Sequence, residues 1–247
     1  MEAPTPISAL LHAATLVTSG VYLVARCSII FEYSPVILAF VVFLGAGTAF
    51  FAATVGLVQN DIKKVIAYST CSQLGYMVFA CGLSAYAAGI FHLANHAFFK
   101  ALLFLASGCV IHAMGDEQDM RRYGGLTKLL PLTYAVFFIG SLSLMGFPFM
   151  TGFYSKDFIL EVAFGSFTQM GQFAFILGTV GAVFTAFYSF RLLYLTFLDK
   201  TRANRLVLSS AHEPGFFMSF PLVFLTFGSV FFGFFLKDAV LGIGSTF

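Results

Sequence analysis

The sequence predicts an all-α, polytopic transmembrane helix bundle of about seven crossings with one broken helix, and three observations carry that prediction. The 247 residues are 59% hydrophobic and 10% charged, against about 25% charged in a soluble globular domain. Mean hydropathy is +0.92. Apolar runs of roughly 17–25 residues, each long enough to cross a bilayer, follow one another with only short polar breaks. Those breaks leave no room for a soluble unit, so residues 1–247 read as a single transmembrane domain. Other classes fall away on the same composition. Cys27, Cys71, Cys81 and Cys109 are scattered through apolar runs, with neither a disulfide framework nor a zinc spacing. A net charge of +2 leaves no basic footprint for nucleic acid. The amino end, Met1-Glu-Ala-Pro-Thr-Pro, has no positive n-region and no small-residue cleavage site, so no cleavable leader is expected.

The crossings are expected at about 6–26, 36–58, 63–83, 88–113, an interrupted 129–165, 170–198 and 216–236. Pro6 and Pro35 suit the first turn of the first two, where a missing N–H is no loss. Asn60-Asp61 is an N-cap signal for the third. A polar loop, 115–128, ends the fourth, and a second, 199–215, ends the sixth. The fifth is the irregular one. Gly146, Pro148 and Gly152 fall within seven residues, and such a cluster breaks a helix because Pro lacks a donor and Gly lowers helix propensity by about 1 kcal/mol. Two helices joined by an ordinary turn at 146–152 are the plainer alternative, but the part after Gly152 is too short to cross alone.

Charge decides between them. If 129–165 crosses once, Lys63, Lys64, Arg121, Arg122, Lys128, Lys200, Arg202 and Arg205 share one side, while Arg26 and Lys237 lie on the other. That is a strong positive-inside bias, and it places the N-terminus on the positive side. A double crossing sends Lys200, Arg202 and Arg205 to the opposite face and spoils it.

Ionisable residues inside the spans each need a reason, because an ionised group at mid-bilayer costs about 2.5–3.5 kcal/mol even on translocon scales. His92, His96 and Lys100 are spaced i, i+4, i+8, one helical stripe about 12 Å long. His12 falls about 10 Å into the first span. Lys156 and Asp157 follow the break. Histidine exchanges protons near neutral pH. A buried lysine shifts between charged and neutral as a neighbouring anion comes or goes. Linked by water, such groups form a proton relay through a dry medium. Plainer readings stand beside this one. A lone histidine such as His12 is more often a packed core residue, Lys156-Asp157 could be an interfacial pair, Lys100 could snorkel, and Arg191 could too. The Phe-rich faces of the last two spans suit lipid or neighbour packing. His92 and His96 match a metal-ligand spacing, but no nearby carboxylate or cysteine completes a site, so no metal is expected. Two histidines on one face do not bracket a haem. No dinucleotide fold, P-loop, nucleophile elbow or HExxH motif occurs.

Several stretches resemble the antiporter-like, proton-pumping subunits of respiratory complex I, the NADH–ubiquinone oxidoreductase. They are Met1-Glu-Ala-Pro-Thr-Pro-Ile-Ser-Ala-Leu-Leu-His12, Gln59-Asn-Asp-Ile-Lys-Lys, His92-Leu-Ala-Asn-His-Ala-Phe-Phe-Lys100, Asp116-Glu-Gln-Asp-Met-Arg-Arg and Gly152-Phe-Tyr-Ser-Lys-Asp157. The similarity runs along the whole chain in the expected order. The last two motifs favour a mitochondrial branch of the family over its sister subunits and over related sodium/proton antiporter subunits. The resemblance implies proton pumping coupled to NADH oxidation by ubiquinone elsewhere in the complex. It implies Lys156 as a central proton-exchange residue, Asp157 on the exit route, His92, His96 and Lys100 along the hydrophilic axis, and His12 as the link to a first half-channel. It also implies a multi-pass protein of the mitochondrial inner membrane, with its N-terminus in the matrix. The implied partners are the other membrane-arm subunits, the neighbouring antiporter-like subunit and lipid such as cardiolipin, with no nucleic acid. No cofactor is expected in this chain; flavin and iron–sulfur centres belong to partner subunits. The family's chain is longer at both ends, so a segment carrying the second half-channel is expected, one that does not pump alone. Ala3 stands where the motif usually has glycine. A structural bundle without its own proton path and a cation/proton antiporter subunit are the alternatives.

Overall fold

A computed structural model describes residues 4–242, without the side chain at position 13. Met1, Glu2 and Ala3, the opening of the first motif, lie outside the described residues. The chain begins with α1 (Thr5–Ile7), which runs into a π-helical stretch, Ser8–Ala14. There follow α2 (Thr18–Arg26), α3 (Ser28–Glu32), α4 (Pro35–Val58), α5 (Ile62–Gly82) and α6 (Tyr86–Ala113). Two 3₁₀ turns, Met120–Arg122 and Leu126–Lys128, lead to α7 (Pro131–Met145). After the break a π-helical turn, Phe153–Asp157, opens α8 (Phe158–Gly165). The remainder is α9 (Gln169–Leu193), α10 (Arg205–Ser210), α11 (Phe216–Phe227) and α12 (Gly233–Leu241). No strand occurs among the described residues. Among the described residues four stretches are long and apolar enough to cross a membrane: Pro35–Val58, Tyr86–Ala113, Gln169–Leu198 and Phe216–Leu241. With α5 and the interrupted segments between them, they form a polytopic helical membrane bundle.

Local chemistry explains the boundaries. The Asp61 carboxylate caps α5, accepting from the Lys63 N–H at 2.9 Å and the Lys64 N–H at 3.4 Å. Pro35 and Pro131 stand in the first turns of α4 and α7. The first crossing is also interrupted, at 15–17, which the sequence did not suggest. Its cause is a run of hydroxyls that bond back to the chain. Thr15 Oγ1 donates to Leu10 O (2.9 Å), Thr18 Oγ1 to Thr15 O (2.8 Å) and Ser19 Oγ to Leu16 O (2.6 Å).

The loops expected on one side meet there. The Ile62 N–H donates to Gln118 O (3.1 Å), the Met120 N–H to Asn60 O (2.9 Å) and the Arg202 N–H to Tyr123 O (3.0 Å). Thr127 Oγ1 donates to Phe197 O at 2.9 Å. The Glu213 carboxylate caps α7, accepting from the Leu132 N–H at 2.7 Å and from Thr133 Oγ1 at 3.1 Å. So α7 starts and α9 finishes at the same end. The α9 helix is one uninterrupted rod, so α8 must finish at the other end and 131–165 crosses once. This end is also pinned by ion pairs, Arg121–Asp119 (2.6 Å), Arg122–Glu117 (2.7 Å) and Arg202–Asp199. The Arg122 guanidinium hydrogen-bonded to Glu117 and that of Arg121 to Asp119 hold both carboxyls below their ordinary range.

Among the described residues the apolar side chains form three clusters, two toward opposite ends of the bundle and a third where Val21 of α2 packs on Leu74, Met77 and Cys81 of α5. At the loop end, Ile62, Val65 and Ile66 of α5 pack with Phe104 and Val110 of α6 and Leu192 of α9. At the opposite end, Val42 and Ala46 of α4 pack with Phe79 of α5, Ile159 of α8 and Ala174 of α9. Between the two end clusters the same helices also bury polar residues: Ser69 and Gln73 on α5, His92 and His96 on α6, Lys156, and Thr185 on α9. These buried polar side chains form a cluster in the interior, set among the apolar ones. Helices α4 and α5 come close through small residues. A Cβ on Gly75 would lie 2.6 Å from the Ala49 nitrogen and 2.6 Å from the Gly45 oxygen. The outer surface carries phenylalanines, Phe187 and Phe190 of α9 and Phe217, Phe224 and Phe227 of α11 among them, as expected of faces turned to lipid or neighbours.

Candidate functional site

The break is built by its two glycines and stabilised by hydroxyls. Gly146 ends α7 in the left-handed region, φ +85°, and the Phe147 N–H reaches back to Leu142 O at 3.0 Å. Gly152 lies so close to α7 that a Cβ there would sit 1.8 Å from Ser143 O. Irregular backbone at membrane depth survives only where protein or enclosed water satisfies it. Here the satisfaction crosses to the last span, where Gly228–Phe232 is π-helical. Thr151 Oγ1 donates to Gly228 O (3.1 Å) and accepts the Gly233 N–H (3.2 Å), so it is wedged into that helix's own ladder. Ser143 Oγ donates to Ser229 O at 3.2 Å.

The π-helical turn then directs Lys156 inward. The side chain is 1% exposed, and its Nζ donates to Thr185 Oγ1 of α9 at 2.9 Å. The same Nζ stands 5.4 Å from the ring centre of Tyr76, whose hydroxyl donates to Gly178 O. On α6, His92, His96 and Lys100 are fully enclosed. His92 Nδ1 lies 2.8 Å from Ser155 Oγ, and Nε2 lies 3.0 Å from Gln73 Oε1. One turn on, the His96 ring centre is 6.3 Å from that of His92. Lys100 Nζ donates to Ser69 Oγ, which in turn donates to Ile66 O at 2.8 Å. A cavity of about 10 Å³, roughly the room one water needs, opens beside Ser69 and Tyr188. Neither ring nitrogen of His96 and neither amide atom of Asn95 has a protein partner. Buried polar atoms of that kind are ordinarily served by internal water.

The spacing thus brings His92, His96 and Lys100 to the same interior cluster that receives Lys156. The other two residues lie elsewhere. Asp157 is half-buried and lines an open cavity of about 270 Å³ with Tyr154, Glu161, Lys237 and Asp238. His12 is exposed on the outer face of the Ser8–Ala14 stretch. Arg191 does not snorkel. Its guanidinium donates to Leu57 O, Gln59 O and Asn60 Oδ1, each at 2.7 Å, and closes the end of α4. Both ring nitrogens of His92 are engaged by Gln73 and Ser155, which leaves none for a metal. Among the described residues no group of three or more His, Cys, Asp or Glu side chains gathers.

The neutral partners Ser69, Gln73, Ser155 and Thr185 carry no charge to mark them in the sequence. A signal for two of them exists. Ser69, Gln73 and Tyr76 recur at helical spacing along α5, a polar stripe on one face of that span.

A broken helix and an enclosed lysine–histidine cluster within a polytopic helical bundle define the class of an integral membrane protein with a polar interior. Residues 1–185 match the family described as NADH:quinone oxidoreductase/Mrp antiporter, TM, and the chain belongs to that family. Its relatives include the NADH-ubiquinone oxidoreductase chain 5 of Phytophthora infestans, 65% identical over 247 residues. The proteins of the same name from Marchantia polymorpha and Arabidopsis thaliana are 62% and 60% identical over the same length. In each case all of this chain is covered and 37% of the relative, so the chain spans a little over a third of those proteins. Among solved structures, an archaeal respiratory membrane complex, the membrane-bound sulfane sulfur reductase, contains a similar chain. The TM-score is 0.70 and the identity 30%, covering 78% of this chain and 32% of that one.

Proposed function

We propose that this chain is a proton-translocating part of the membrane arm of a respiratory NADH:ubiquinone oxidoreductase, in which Lys156, His92, His96 and Lys100 relay protons at mid-depth. The observation that carries it is the enclosure of two lysines and two histidines in the bundle interior, walled by apolar clusters. Burying a lysine permanently charged and unpaired is among the most expensive placements available to a folded chain. Both lysines here are held by hydroxyls, Thr185 and Ser69, rather than by carboxylates. A hydroxyl oxygen accepts from an ammonium and from the N–H of a neutral amine alike, so each station keeps a partner in either protonation state while Thr185 and Ser69 go on donating to Ala182 O and Ile66 O. Asp157, at the open cavity, is the exchange point toward the end opposite the loops. His12, on the outer face, links this cluster to a first half-channel in a neighbouring segment.

The oxidation of NADH, and the flavin and iron–sulfur centres it needs, belong to partner subunits. The apolar outer faces meet the adjoining membrane-arm subunits and lipid such as cardiolipin. The setting is the mitochondrial inner membrane, with the lysine- and arginine-rich loop end facing the matrix. The test is Lys156→Met in the assembled complex. Protons moved per electron are expected to fall while assembly on native gels is preserved. Normal coupling in that variant would leave only a structural bundle, and sodium-dependent exchange by the isolated subunit would point to a cation antiporter instead.

A further inference from the structure

The His92 ring is clamped from both sides by neutral groups on two different elements, and the clamp has a direction. Gln73 Oε1 can only accept, so at 3.0 Å it requires a proton on Nε2. In the neutral ring Nδ1 is then the acceptor, and the group facing it at 2.8 Å is the Ser155 hydroxyl, which must donate. Ser155 Oγ has two other acceptors within reach, the carbonyl oxygens of Thr151 and Gly152, each at 3.4 Å. Both belong to the break itself. The serine is 1% exposed, so no bulk water competes for its hydrogen.

We propose, on the strength of the relay reading above, that Ser155 is a positioning residue whose hydroxyl reverses its role with the charge of His92. When His92 is neutral, Ser155 donates to Nδ1. When a proton binds Nδ1, the new N–H donates to Ser155 Oγ, and the serine keeps its own hydrogen and turns it to Thr151 O or Gly152 O. No bond to the serine breaks; only a torsion changes. The protonated ring then has acceptors at both nitrogens, Gln73 Oε1 and Ser155 Oγ, and the charge on α6 is registered at the carbonyls that precede Lys156. The groups around His92 admit no simpler carrier. Lys156 on the π-helical turn and Lys100 on α6 are the cations that act on it, and His96 lies one turn away. Asp157 adjoins Lys156, and α5, packed along α6, carries Cys71, Tyr76 and Cys81 in its interior part and Lys63, Lys64 and Tyr68 toward the loop end; helices α7 and α11, also packed on α6, bear no charged side chain. Lys237 and Asp238 of α12 line the outer cavity with Glu161 of α8, Arg26 ends α2, and His12 is exposed.

The experiment measures proton-coupled turnover against pH in the assembled complex for wild type, Ser155→Ala, Ser155→Cys, Ser155→Thr and Lys156→Met. Losing an acceptor for a charged N–H lowers the protonated fraction by about tenfold. The alkaline limb of the Ser155→Ala profile is therefore expected to move to lower pH. Ser155→Thr keeps the hydroxyl and restores the limb. Ser155→Cys keeps the volume and offers only a weak acceptor, so it shifts in the same direction and reads the proposal even where Ala lowers assembly. A wild-type profile in the Ala and Cys variants overturns the proposal. So does a uniform loss at every pH with the limb unmoved, since that is a packing defect. If Lys156→Met loses pumping while Ser155→Ala does not, the serine assignment falls and the relay stands. If Lys156→Met pumps normally, the relay itself falls.

Discussion

The two interior lysines differ from paired buried charges in one respect: each rests on a single hydroxyl, Thr185 for Lys156 and Ser69 for Lys100. A carboxylate partner would fix the ammonium and make its loss expensive. A hydroxyl leaves both forms within reach, which is what a relay station requires. Thr185 Oγ1 also donates to Ala182 O at 2.7 Å, so its lone pair is already aimed at the lysine. Thr185→Val keeps the shape and removes that acceptor, leaving the amine without a partner at a penalty of about 1–3 kcal/mol for a buried group. Turnover is expected to drop about tenfold, with assembly intact, while Thr185→Ser stays near wild type. Equal rates for Val and Ser would mean that the hydroxyl is spectator packing. The lysines and the α6 histidines were legible in the sequence because charge within an apolar run is conspicuous and their i, i+4, i+8 spacing fixes a common face. Thr185 and Ser155 were not, because a neutral polar residue in a membrane helix can equally bond its own backbone. His12 was legible as an ionisable group within a span. Its outward direction was not, since that depends on how the chain leaves the interruption at 15–17.

At the scale of the element, the broken fifth crossing is the part that sequence chemistry announces most clearly and explains least. Glycine and proline say that the helix must stop at 146–152, but not where the freed backbone groups go. They go to another span. Thr151 completes the π-helical gap between Gly228 O and the Gly233 N–H, so each irregular segment repairs the other. A Cβ on Gly233 would come within 2.8 Å of Thr151 Cα, which keeps this approach open only to glycine. Neither irregularity is a defect of its own helix. Removing the hydroxyl should therefore cost more than a local hydrogen bond. Thr151→Val leaves a carbonyl and an N–H unserved in an apolar setting and is expected to destabilise the subunit by about 2–4 kcal/mol, seen as reduced assembled complex on native gels. Thr151→Ser retains the bridge and should assemble normally. If both variants assemble alike, the link between the two spans is incidental contact.

At the scale of the molecule, sidedness follows from where the loops are joined rather than from any count of helices. Hydropathy alone leaves the number of crossings open, because α5 carries a polar stripe and the fifth crossing is divided. The asymmetry of lysine and arginine resolves it in the sequence. The structure resolves it independently, through the bonds from Ile62 to Gln118, from Met120 to Asn60 and from Arg202 to Tyr123 that gather three loops at one end. Side-chain charge and main-chain hydrogen bonding thus agree on which loops lie together. Their common consequence is that the turn between α8 and α9 faces the side opposite the loop 199–215. Phe167, 81% exposed in that turn, and Arg205, exposed at the start of α10, are suitable reporters. In sealed membrane vesicles of one orientation, a membrane-impermeant maleimide is expected to label Arg205→Cys from the face that also admits reagents to the 115–128 loop. Phe167→Cys should be labelled only from the other face. Labelling of both from one face would require residues 131–165 to cross twice. That would carry Lys200, Arg202 and Arg205 away from the loops they are bonded to.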